Sequence, residues 1–333
     1  MIRTRLAALL LGLAVALAAP GPARAADFVA AGVPKNIAAS RDYGAIFRHL
    51  RDNGIDMFFP TFQYQEVPAP RSFGFESDFT PPCSGNAPAF AALRASGVRL
   101  VMPAELLYPD PGRINRVSVA ADPLTQLIAC AGRANIGAVT NYDEAAMHGI
   151  PESAAQALYN RVKQIDPSLP VLMVHGPIVI DKPQFSSDAK VQGYLQKVVR
   201  YSRHADAVGF DVYPVPSPIA KIATPGSKRA VVSPEQAIAG YAGFLKANFP
   251  QKDTLLVLQG FAYTDLYERG FLEANVPAAM RAMIPAPSRS QIDMMVGQAV
   301  SSGVDYIIWW GQAALKSTNA APWPDILRAA RRR

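Results

Sequence analysis

The chain has 333 residues, half of them apolar, with 29 prolines and 23 glycines spread along its length. Such a composition supplies a real core and excludes a disordered chain, a coiled coil and collagen. The formal charge of +7 suggests nucleic acid, but a nucleic-acid footprint needs Lys and Arg clustered on one face of a fold. Here the excess sits at the two ends.

At the N-terminus, Arg3 and Arg5 precede an apolar run from Leu6 to Ala19, which Pro20-Gly21-Pro22 break and Ala23-Arg24-Ala25 follow. A positive start, a short apolar middle and a small-residue site make a secretory leader. A membrane-spanning helix needs about 20 apolar residues, and no later stretch is long enough. The expectation is cleavage before Ala26, export to the periplasm or beyond, and no stable membrane insertion afterwards. Losing Arg3, Arg5 and Arg24 lowers the charge to about +4. Arg328, Arg331, Arg332 and Arg333 read as a solvated basic tail.

From residue 26 onward, apolar runs alternate with amphipathic ones. Strand candidates are 28–33, 55–59, 98–102, 136–140, 171–174, 207–212, 255–258 and 304–310. Helix candidates follow them at 43–53, 87–96, 123–132, 152–165, 189–204, from 234 onward, 291–301 and 322–331. Asp122 caps the third helix with Pro123 at its first position. Ser233-Pro234-Glu235-Gln236 opens the sixth as a capping box. Strands two to eight are continuous apolar runs, as expected of strands buried on both faces. Repeated strand–helix units imply a parallel sheet, and eight close into a barrel. The fold class is therefore α/β, a single (β/α)8 TIM barrel over residues 26–333, with 1–25 as the leader. A doubly wound open sheet is the alternative, but no glycine-rich phosphate turn follows the first strand.

Connections after strands are long and those after helices short, which puts a site at the C-terminal ends of the strands. Strand four ends in Thr140-Asn141-Tyr142-Asp143-Glu144. Adjacent carboxylates raise at least one pKa and suit a general acid. The bland alternatives are that Asp143 only caps locally, or that both charges are solvated. On strand six, alternation sets Asp211 and Tyr213 on one face. An Asp in an apolar strand needs a partner or a task. Gln259, ending strand seven, can orient a hydroxyl but cannot act as a nucleophile. Of Trp309 and Trp310 on strand eight, one must face inward, where an indole can stack on a sugar ring. Lesser candidates are Glu105, His175, Gln63, Tyr64 and Glu66, with His148 as a supporting partner of Asp143-Glu144. No cofactor motif is present, and no Cys/His cluster has metal-ligand spacing. Cys83 and Cys130 are expected to be unbonded, at opposite ends of the helical layer.

This layout resembles the clan-A glycoside hydrolases, (β/α)8 barrels with an Asn-Glu pair ending strand four, whose Glu is the acid/base. In that clan a nucleophilic Glu ends strand seven, an aromatic follows on strand six and a Trp on strand eight. Asp143-Glu144, Tyr213 and Trp309 or Trp310 occupy those places. Asp143 replaces the clan's Asn and Gln259 its nucleophile, as in divergent secreted barrels with Asp-Glu on strand four and Gln on strand seven. The resemblance implies an exported glycosidase, expected as a monomer, acting on a poly- or oligosaccharide. Glu144 would be the acid and Asp211, or Asp143, the base. Substrate contacts would come from Gln259, Tyr213, Trp309, Trp310, Tyr142, Glu105 and His175. Carboxylates on strands four and six would sit roughly 6–10 Å apart, which favours inversion. Two other readings stay open. One is an inactive envelope barrel that binds glycan. The other is a deacetylase or esterase, though no Gly-x-Ser-x-Gly elbow is present.

Overall fold

A computed structural model describes residues 25–60, 76–81, 87–266, 276–281 and 284–332. Residues 1–24, where a leader is expected, and Gln63, Tyr64 and Glu66 lie outside the described residues. Among the described residues, no helix is long and apolar enough to cross a membrane.

Among the described residues, ten strands run in chain order: β1 (Asp27–Ala31), β2 (Met57–Phe59), β3 (Arg99–Pro103), β4 (Ile136–Thr140), β5 (Val171–His175), β6 (Ile178–Val179), β7 (Ala207–Val212), β8 (Ile222–Ala223), β9 (Asp253–Gln259) and β10 (Tyr306–Trp310). Eight of them close a parallel barrel in the order β1-β2-β3-β4-β5-β7-β9-β10. The sixth, seventh and eighth strands of the sequence are thus β7, β9 and β10. The missed pair, β6 and β8, forms a small antiparallel ribbon between the segments following β5 and β7. Two residues per strand leave no periodicity to read.

Period-two alternation builds two apolar layers. Val29, Met57, Leu172, Leu255 and Ile308 fill the barrel interior. Phe28, Met173, Phe210, Leu256 and Trp309 face out into the core beneath the helices. Gly209 sits inside between Ala207 and Asp211. A Cβ there would lie 1.9 Å from the Leu255 carbonyl oxygen, so no other residue lets β7 and β9 approach this closely. Helix starts follow the expected chemistry. Asp122 accepts from the Leu124 amide, and Ser233 with Gln236 forms a reciprocal capping box.

Two expectations are corrected. Cys130, at the end of the helix Pro123–Ala131, is disulfide-bonded. The chain's one other cysteine is Cys83, outside the described residues. The long connection after β2 has the slack to defeat a placement based on helix length alone. The basic tail is also less solvated than expected. The helix Trp323–Ala330 packs its apolar face into the core, and Arg328 pairs with Asp293 and Asp325.

Candidate active site

A cavity of about 560 Å³ opens at the C-terminal end of the barrel strands. Its floor is apolar, with Ala31, Val174, Val257 and Ile308. Its sides carry Phe59, Tyr142, Tyr213 and Trp310. Three carboxyl groups line it: Glu105 just after β3, Asp143 just after β4 and Asp211 on β7. β4 and β7 are second neighbours across β5, so the barrel itself sets Asp143 and Asp211 apart.

These acids are held in proton-retaining surroundings. The Asp143 residue is exposed at the cavity rim, while its carboxyl has dense protein around it. Burial first, then the charges of Glu144 and Glu105, push it up to about 7. Its amide donates to Glu105 Oε1 at 2.7 Å, which fixes the turn. Asp211 is raised well above the carboxylate range, by burial first and then by Asp143 and Glu144. The Tyr213 hydroxyl donates to its Oδ2 at 3.1 Å. Burial also raises Glu105. Like charges confined together do not all ionise easily, so the cluster favours retained protons.

Glu144 does not line the cavity. Its backbone takes a left-handed conformation, φ +43°, at the start of the short helix Ala145–His148. That turn directs the carboxylate toward Gly176, and it pairs with His148 Nε2 at 2.8 Å. His148, not Glu144, reaches the cavity wall. Hydrogen bonding to Glu144 raises the imidazole's pKa.

Three other candidates are placed differently from the sequence expectation. Gln259 is fully buried, and its amide is consumed by main chain. Oε1 accepts from Val215 N at 2.9 Å, while Nε2 donates to Val215 O at 2.7 Å and Phe261 O at 3.1 Å. No polar atom is left for a sugar hydroxyl. His175 follows the inward Val174 and so points outward. Its Nε2 lies 3.0 Å from Ser202 Oγ, and burial lowers its pKa to about 3. Trp309 is fully buried under the helices, while Trp310 lines the cavity.

The sequence reading missed the buried network behind the cavity wall. Arg161 Nε bonds Asp122 Oδ2 at 2.6 Å, and Tyr108 donates to Asp122 Oδ1 at 2.7 Å. Tyr142 in turn donates to the Tyr108 carbonyl at 3.0 Å. An Arg at a core position of an amphipathic helix, facing an N-cap Asp, was the available signal.

No protein-family model and no curated protein matches the sequence. Solved structures do match. A proposed alpha-L-fucosidase from Bacteroides thetaiotaomicron aligns with TM-score 0.52 at 12% identity, covering 98% of this chain and 96% of that one. The spore cortex-lytic enzyme SleL of Bacillus cereus aligns with TM-score 0.50 at 10% identity, covering 93% and 75%. A glycosyl hydrolase family 2 member from Bacteroides cellulosilyticus has TM-score 0.45 at 10% identity. This chain matches it over 87% of its own length and spans 28% of the other. These likenesses are of fold, and the chain is a single (β/α)8 barrel similar to glycoside hydrolases.

Proposed function

We propose that this protein hydrolyses glycosidic bonds in the cavity at its barrel mouth, with Asp143 and Asp211 as the working carboxyl pair. The observation that carries this reading is the gathering of Glu105, Asp143 and Asp211 on one aromatic-walled cavity. Asp211, whose burial and acidic neighbours favour the protonated form, is the donor to the leaving oxygen. Asp143, titrating at about 7, activates water. Glu105 holds the Asp143 backbone. Glu144, first expected to be the acid, acts through its charge and through His148. Trp310 and Tyr213 offer faces for a sugar ring.

The β9 residue facing the cavity is Val257, and no carboxylate replaces the missing nucleophile there. Inversion therefore fits better than a covalent route. The same Val257 favours a second reading, a barrel that binds glycan without cleaving it. The leader pattern and the disulfide at Cys130 both support work in an oxidising compartment.

The test is a screen of leaderless protein against polysaccharides and aryl glycosides, with NMR of the first-formed product. Turnover with inverted configuration is expected. Retained configuration would reject the pair assignment. Binding without turnover would favour the second reading.

A further inference from the structure

The cavity's charge and walls say what kind of sugar it takes. Glu105, Asp143 and Asp211 come from three different strand ends and meet in one space, and among the described residues no lysine or arginine lines it. Among the described residues, none of the three acids is in an ion pair. Among the described residues, the basic side chain on the wall is His148, which pairs with Glu144 at 2.8 Å and also bears on Asp143. Lys182 acts on Asp211 and His148 from outside the wall. These cations offset only part of the acidic charge, and carboxyls that outnumber their counter-charges in a confined space are costly to keep ionised. The walls add Trp310, Tyr213 and Phe59, whose ring faces attract cations. Trp310 and Phe59 meet edge-to-face at 6.3 Å. A neutral sugar satisfies the rings but leaves the acids in their protonated form. A cationic sugar satisfies both.

We propose that the cavity selects a sugar unit carrying a free protonated amine, a hexosamine without an acyl group on nitrogen. This inference rests on the glycan-hydrolase reading above. The ammonium sits against Glu105 and Asp143, leaving Asp211 its proton, and the apolar face of the ring lies on Trp310 or Tyr213. Among the described residues, the titratable groups that reach this space are Glu105 after β3; Tyr142, Asp143, Glu144 and His148 after β4; Lys182 after β6; Tyr194 behind; Asp211 and Tyr213 at β7. An arriving cation favours the ionised carboxyls, so binding near pH 7 expels protons to the buffer.

The experiment is isothermal titration calorimetry at pH 7 on full-length mature protein, in two buffers of different ionisation enthalpy. The probes are glucosamine and galactosamine, their N-acetyl and neutral counterparts, and the β-1,4-linked tetramers of glucosamine, N-acetylglucosamine and glucose. The free amines should bind at least about tenfold tighter than their matched partners, with proton release only for the amines. Asp143→Asn and Glu105→Gln should cut that preference to about threefold or less, with an unchanged circular dichroism spectrum as the check on folding. Equal affinity for amine and neutral sugars would overturn the inference and leave the glycan reading standing. Binding of spermidine but of no sugar, or of nothing at all, would overturn both.

Discussion

Asp143 is unfavourable to the fold in its ionised form. Its carboxyl titrates at about 7 in the folded state against about 3.9 unfolded. Between those values the unfolded chain releases a proton that the folded chain keeps, so stability falls as pH rises from about 4 to 7. Asp143→Asn removes that dependence. Its melting temperature should match wild type near pH 4 and exceed it by a few degrees at pH 7.5, by scanning calorimetry across pH. Equal melting temperatures at both values would mean that Asp143 ionises freely. Alternation along a strand is what made Asp211, Tyr213 and the division of Trp309 from Trp310 legible in the sequence. It failed at Glu144, because a left-handed φ at a non-glycine residue has no sequence signature and turns one side chain out of the series. It was insufficient at Gln259, which faces in as alternation requires, yet is consumed by the Val215 main chain.

Connections between elements hold the cavity in shape. Gln259 ties the end of β9 to the segment after β7, just beyond Asp211 and Tyr213, and Tyr263 donates to the Tyr213 carbonyl at 2.9 Å. Gln259→Ala leaves a buried amide and carbonyl at Val215 without partners. It should cost about 1–3 kcal/mol in a urea melt, and Gln259→Glu should create no nucleophile. On the other side, Arg161 and Asp122 are both buried and pin the segment that carries Glu105. Arg161→Ala strands the Asp122 charge and should cost about 3–5 kcal/mol, whereas replacing both partners with apolar residues should cost far less. A double-mutant cycle separates the two outcomes. Helix caps such as Asp122 and Ser233 were readable because capping is local chemistry. The Arg161 pairing spans 39 residues, and nothing local announces it.

At the scale of the whole molecule, eight strand–helix units announced the barrel, because burial on both faces writes each strand as a continuous apolar run. The disulfide was not legible, since loop paths carry no periodicity. It closes a loop from 83 to 130, and Cys83→Ser with Cys130→Ser should lower stability by about 2–4 kcal/mol, read by denaturant melts on unreduced protein. The barrel brings Asp143 and Asp211 from second-neighbour strands onto one wall and turns Glu144 aside onto His148. The measurement that tests this most directly compares turnover of a cleaved glycan by Asp143→Asn, Asp211→Asn and Glu144→Gln. The account predicts that kcat falls by about 10²–10⁴ in each aspartate variant and by less than about tenfold in Glu144→Gln. A loss concentrated in Glu144→Gln, with Asp211→Asn close to wild type, would contradict it.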